Sequence, residues 1–105
     1  MLSSKQRKQL KALAHGLKAV VHIGKGELEE KVIAAVHKAL FDHELIKIKL
    51  LESVTTPKDE IAASLCVATG AELVNIIGHT LIMYKETEKD GIEKIKLTVA
   101  TLGDE

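Results

Sequence analysis

The chain has 105 residues, a formal net charge of zero, 46% hydrophobic residues and 29% charged residues. That length fits one domain with a core of its own, and the composition excludes global disorder. Cys66 is the only cysteine, so no internal disulfide forms, and no apolar run reaches the roughly 18 residues of a membrane-spanning helix.

The zero total hides a division. Residues 1–49 carry ten Lys/Arg against five Asp/Glu, and residues 50–105 carry five against ten. The first 25 residues hold six basic side chains (Lys5, Arg7, Lys8, Lys11, Lys18 and Lys25) and no acid. Such a half reads either as a solvated charged face or as the approach surface for an anionic partner. No signal-peptide core follows the basic start, and one thiol agrees with a reducing compartment, so the expected location is the cytoplasm.

Ser3 or Ser4 is placed to cap a first helix with Leu10, Leu13 and Ala14 as its apolar stripe, and Gly16 to stop it. Val20 to Ile23 reads as a short β-branched strand closed by Gly24-Lys25-Gly26. A second helix over about residues 28–42 turns Leu28, Val32, Val36, Ala39 and Leu40 inward. Lys31 and Lys38 lie on its outer side, and Glu27 is four residues before Lys31, the spacing of a helpful pair. Glu44 to Leu51 is the second strand, in which Ile46, Ile48 and Leu50 alternate with Lys47 and Lys49. Thr56-Pro57-Lys58-Asp59 starts a third helix, with Thr56 as cap and Pro57 in the first helical position. That helix runs through Ile61, Leu65 and Ala68 to Gly70. Leu73–Ile77 and Thr80–Lys85 are two further strands around Gly78-His79, with glycine first as a type II′ hairpin requires.

The order helix, strand, helix, strand, helix, strand, strand is that of an α/β fold, an α+β two-layer sandwich. Two strand–helix–strand crossovers predict parallel pairing in a mixed four-stranded sheet, and the closing hairpin adds an antiparallel edge. Residues 1–85 form the expected domain, and 86–105 a charged C-terminal extension. In that extension Ile92, Ile95, Leu97 and Val99 form either an extra strand or part of a loosely docked tail.

Gly24-Lys25-Gly26 is the most informative local feature. Glycines between a strand and a helix let the backbone approach a ligand, free N–H groups at a helix start favour phosphate, and Lys25 adds a point charge. Such turns also occur for steric reasons alone. The segment is not a nucleoside-triphosphate loop, because no Ser or Thr follows the lysine. The histidines at 15, 22, 37, 43 and 79 include no i, i+4 pair, so no metal site is expected. Asp42-His43-Glu44 falls at a helix-to-strand boundary, Cys66 reads as packing, and no nucleophile motif occurs. No enzyme, cofactor or small-molecule substrate is expected. Phe41 and Tyr84 are the only aromatics, which excludes a base-stacking platform and leaves phosphate and shape contacts to structured RNA.

Three stretches together carry a resemblance. They are Leu10-Lys11-Ala12-Leu13-Ala14-His15 leading into Val20-Val21-His22-Ile23-Gly24-Lys25, then His43 to Lys49, then Thr69-Gly70-Ala71-Glu72 through to Tyr84. Over about residues 4–85 the chain resembles the YhbY-like family, the stand-alone form of the CRM domain (chloroplast RNA splicing and ribosome maturation). The resemblance implies a mixed four-stranded sheet with three helices, similar to the C-terminal domain of a bacterial translation initiation factor. It also implies RNA binding, in large-subunit ribosome precursors for bacterial members and in intron splicing for plant members. The family's RNA-contacting Gly-x-x-Gly loop aligns with Gly24-Lys25-Gly26-Glu27, so Glu27 replaces the second glycine. His79 stands where the family usually has Arg or Lys between Gly78 and Thr80.

The expected function is therefore non-catalytic binding of structured ribosomal RNA during large-subunit assembly, by a monomer with no membrane partner. Gly24, Lys25 and Gly26 would hold a phosphate at the start of the second helix. Lys5, Arg7, Lys8, Lys11 and Lys18 would form the basic approach, and Gly78, His79 and Thr80 a second contact. His22, Lys47 and Lys49 are further candidates. The other readings are RNA binding in splicing or processing, and a protein-interaction adaptor that uses the open sheet face or the acidic tail.

Overall fold

Ser3 opens the first helix with a capping box. Its hydroxyl accepts the Gln6 backbone N–H at 3.1 Å, and the Gln6 side chain accepts the Ser3 N–H at 3.0 Å, which satisfies two donors a helix start would otherwise leave open. The computed structural model describes residues 2–97. Its elements are α1 (Ser4–Ala14), β1 (Ala19–Ile23), α2 (Glu30–His43), β2 (Leu45–Leu50), α3 (Lys58–Thr69), β3 (Glu72–Ile77) and β4 (Thr80–Tyr84). This is the expected order of three helices and four strands.

The strands form one mixed sheet in the order β1-β2-β4-β3, with β1 parallel to β2 and both pairs made by β4 antiparallel. Here the sequence expectation needs correction, because β4 enters the middle of the sheet and β3 takes the edge. Burial supplies the reason. Leu81, Ile82, Met83 and Tyr84 are all buried, so β4 is apolar on both faces and is stable only between two neighbours. β3 carries Glu72, Asn75 and the 59%-exposed Ile77, which an edge tolerates.

Two apolar clusters sandwich the sheet. On one face Val21, Ile23, Ile46, Ile48, Leu50, Leu81 and Met83 pack with Val36 and Leu40 of α2 and Ile61 and Leu65 of α3. On the other, Leu45, Val74, Ile82 and Tyr84 pack beneath Leu10 and Ala14 of α1. Leu13 and Ala68, expected inside, face solvent instead. The α1 stripe is narrower than the sequence suggests, and the α3 stripe is shifted, with Ala62 and Thr69 buried beside Ile61 and Leu65.

Helix ends also differ. Gly16 is absent from the positive-φ residues among those described, and α1 closes at Ala14 with a right-handed His15. Gly70 does take the left-handed conformation, at φ 76°, and ends α3 as expected. Pro57 occupies the N-cap position of α3 with no side chain capping the helix, and the Thr56 hydroxyl donates to Glu27 instead. Gly78 has φ 57° and His79 has no positive φ, the combination a II′ turn requires.

Beyond β4 the described chain, through residue 97, contains no further strand; Val99 lies outside the described residues. Glu44 anchors this stretch. Its carboxylate accepts the N–H groups of Thr87 and Ile95, and its carbonyl accepts the Lys85 N–H. Ile95 and Leu97 pack against the α1-side cluster. Among the described residues no helix is long and apolar enough to cross a membrane.

Candidate nucleic-acid interface

The sheet pairing aligns side chains that lie far apart in the sequence. His22 pairs with Lys49, Lys49 with Thr80, and Thr80 with Ile77, so one row crosses all four strands. The row alternates away from the α2–α3 core and lies on the face that α1 half covers, beyond the Leu45, Ile82 and Tyr84 end where α1 packs. His22 and Lys49 are exposed. Two residues along β2 and on the same face, half-buried Lys47 pairs with Ala19 and Ile82.

Two turns rise from the end of the sheet next to this row. Gly24 to Glu27 follows β1, and Gly78-His79 joins β3 to β4. They are held on either side of the end of β2: the Leu51 N–H donates to the Ile23 carbonyl at 2.8 Å, and the Leu50 N–H donates to the His79 carbonyl at 2.7 Å. Lys58, at the start of α3, donates to the Gly78 carbonyl at 2.8 Å. A Cβ on Gly24 would lie 3.3 Å from both Leu51 Cδ1 and Ser53 Oγ, so glycine allows the turn and the loop to approach this closely. Lys25 at the turn's tip and His79 at the hairpin's tip are both exposed.

The turn is not joined directly to a helix start. α2 begins at Glu30, three residues past Glu27, and Glu29 and Glu30 occupy its N-terminal positions. Those acids already complement the helix dipole. The Glu29 carboxylate also folds across Gly26, where a Cβ would meet its Oε1 at 2.0 Å. The cationic contact available at this turn is therefore Lys25, with Gly24 providing the close packing. Glu27 does not pair with Lys31; it accepts from the Thr55 N–H at 3.2 Å, the Thr55 hydroxyl at 3.0 Å and the Thr56 hydroxyl at 2.5 Å. These donors, the Thr56 hydroxyl foremost, hold its carboxyl below the ordinary carboxylate value.

On α1, Lys5, Lys8 and Lys11 are exposed, as is Lys18 after it, on the same side of the sheet as the row. Arg7 differs from these lysines. Its guanidinium donates to the carbonyls of Leu73 and Val74, the latter at 3.3 Å, and so binds α1 to the outer edge of β3. Its charge is committed to the fold.

The sequence comparisons decide the family. The CRS1 / YhbY (CRM) domain profile matches residues 2–85. The chain belongs to the CRM-domain family. It is 33% identical over 90 residues to the Bacillus subtilis "Probable RNA-binding protein YqeI", covering 86% of this chain and 94% of that one. It is 40% identical over 92 residues to a Haemophilus influenzae "RNA-binding protein", covering 88% and 93%. The solution structure of the Staphylococcus aureus hypothetical protein SAV1595 superposes with a TM-score of 0.73 at 36% identity, covering 90% of this chain and all of that one.

Within this CRM domain the structure brings together His22, Gly24, Lys25, Lys49, Gly78, His79 and Thr80. The α1 lysines are exposed on the same side of the sheet. Sequence reading missed Lys58 and Ile77. Lys58 reads as an ordinary helix-start residue and Ile77 as an ordinary strand residue, and only the hairpin's position in the sheet puts Ile77 at the end of the row and Lys58 at Gly78. The left-handed residue of the first turn is Glu27, with φ 47°, rather than Gly26. A glycine at position 27 would adopt this backbone conformation without strain.

Proposed function

We propose that this CRM domain binds structured RNA through phosphate and shape contacts. The observation that carries the reading is the convergence of the cross-strand row from His22 to Ile77 with the two turns bearing Lys25 and His79. Cations here project from backbone whose positions are set by sheet hydrogen bonds, which suits a backbone of regularly spaced phosphates. The α1 lysines extend the cationic surface on the same side. With two aromatics in the chain, neither in the row, the mode is groove and phosphate recognition rather than base stacking. The names of the relatives, which describe RNA binding, support this reading, and the RNA we assign is large-subunit ribosomal RNA in an assembling particle. Residues 1–85 are the binding domain and 86–105 an extension to it, working as a monomer in the cytoplasm.

The test is sedimentation of a native lysate on a density gradient, with and without ribonuclease, paired with binding of the purified chain to large-subunit ribosomal RNA across a salt series. Co-migration with large-subunit precursors that ribonuclease disperses supports the reading, as does an affinity that falls by orders of magnitude between about 50 and 200 mM salt. Migration with small RNAs would move the function to processing or splicing. A position at the top of the gradient, unchanged by ribonuclease, would favour the protein-interaction adaptor.

A further inference from the structure

Two loops that reach the candidate interface from different parts of the chain are joined by one side chain. The Gly24–Glu27 turn closes on itself through the Glu27 N–H, which donates to the Gly24 carbonyl at 2.9 Å. Its last residue adopts φ 47°, a left-handed conformation that residues with a Cβ rarely take. The strained geometry sends the Glu27 carboxylate away from its own helix and into the β2–α3 loop. There it meets two hydroxyls and one backbone N–H, from Thr55 and Thr56. Gly24 packs against Leu51 and Ser53 of the same loop, so the two loops touch at both ends of the turn.

We infer that Glu27 is a positioning residue for RNA binding: it latches the Gly24–Glu27 turn to the Thr55–Thr56 loop and so presents Lys25 in a fixed place. This inference rests on the reading that the surface binds RNA. A negative charge beside a polyanion site would ordinarily weaken it by repulsion. Here the carboxylate already has three donors, and its depressed pKa fits a charge stabilised within the protein. What the latch contributes is order in the free protein, which lowers the entropy lost when the turn is immobilised on a ligand. It is also the reason a glutamate is tolerated in a conformation that glycine would take without strain.

Four variants separate the latch from simple charge. Glu27→Gly removes the latch together with its charge, and Thr56→Val removes the shortest of its three hydrogen bonds and keeps the charge. Glu27→Gln removes the charge and keeps an acceptor, and Lys25→Ala removes the proposed contact itself. Binding of each to in vitro transcribed large-subunit ribosomal RNA is measured across a salt series, with amide hydrogen exchange at residues 24–27 followed in the free proteins. Glu27→Gly and Thr56→Val are expected to weaken binding by roughly fivefold to tenfold, the scale of one or two net hydrogen bonds. Both should speed exchange in the turn and leave the salt slope unchanged, and the double variant should lose little more than either single one. Glu27→Gln should bind closer to the unaltered chain. Lys25→Ala should instead reduce the salt slope by about one. Tighter binding by both Glu27→Gly and Glu27→Gln would overturn the inference and show that Glu27 acts by repulsion. Unchanged affinity in Glu27→Gly, or in Thr56→Val once exchange in its turn has quickened, would overturn it as well. If the unaltered chain binds no RNA, the proposed function itself fails and the role of the latch in binding falls with it, while the exchange data still report whether the two loops are joined.

Discussion

The carboxylate of Glu44 accepts the backbone N–H of Thr87 at 2.8 Å, 43 residues further along the chain. Glu44 is 1% exposed and sits at φ 63° between α2 and β2, and its other oxygen accepts the Ile95 N–H at 2.7 Å. A buried carboxylate is tolerated because it receives backbone donors, and those donors belong to a segment that would otherwise have no ladder to join. Glu44→Gln keeps the shape and loses one acceptor oxygen. It is expected to destabilise the fold by about 2 kcal/mol through an orphaned buried N–H and to raise exchange at Thr87 and Ile95 first. Urea unfolding and hydrogen exchange check both expectations. Unchanged exchange at those two amides would refute the anchoring role.

Arg7 and its basic neighbours on α1 should behave differently. Arg7 donates to two carbonyls of β3, whereas Lys5 and Lys8 are exposed. Arg7→Ala is expected to cost about 1–2 kcal/mol of stability, with Lys5→Ala and Lys8→Ala within about 0.5 kcal/mol of the unaltered chain. Any loss of RNA binding in Arg7→Ala should then follow the fraction unfolded, and losses in the lysine variants should appear with the fold intact. Thermal melts run beside binding assays separate the two.

Acid should weaken the fold through two carboxylates whose pKa values are lowered. Glu27 is held down chiefly by the Thr56 hydroxyl, and Asp42 by Lys89 at 2.7 Å and Lys38 at 3.1 Å. A group with a depressed folded pKa contributes stability that is fully present above its unfolded value and is lost as pH falls through the folded value. Stability should therefore be level near neutrality and decline below the ordinary carboxylate values, 4.5 for Glu27 and 3.8 for Asp42. Urea midpoints between pH 3 and 7 measure this, and Glu27→Gln should flatten the upper part of the decline.

Burial, with Glu72 nearby, pushes the Cys66 thiol above its ordinary value. The thiolate is the reactive form, so a thiol reagent near neutral pH should modify Cys66 slowly in the folded chain and promptly in denaturant. Equal rates in the two states would show that the α3 packing around Cys66 opens freely.

Much of this architecture was legible in short-range patterns. The alternation of Ile46, Ile48 and Leu50 with Lys47 and Lys49 places β2 and its two faces, and Gly70 marks the end of α3 because a left-handed residue is needed there. The Gly78-His79 turn marks the hairpin for the same reason. The order of helices and strands follows from these signals. The candidate residues were legible as types: cations and glycines at the turns where backbone is open to a ligand.

What the pattern along the chain could not convey was who stands beside whom. Nothing local says that β4 enters between β2 and β3, because strand order is decided by which strand is buried on both faces, a property of the assembled sheet. That choice aligns His22, Lys49, Thr80 and Ile77 into one row and brings Lys58 to Gly78. Arg7 looks identical to its basic neighbours until the β3 edge lies within reach of its guanidinium. Glu27 and Lys31 have the spacing of a helical pair, yet the helix starts after Glu27, and the left-handed turn directs the carboxylate to Thr55 and Thr56. The sequence by itself determined the elements and the chemistry available, since these depend on neighbours within a turn or a strand. Only the tertiary structure decided which charges are free for a ligand and which are bound into the fold, because hydrogen-bond partners dozens of residues away compete for them.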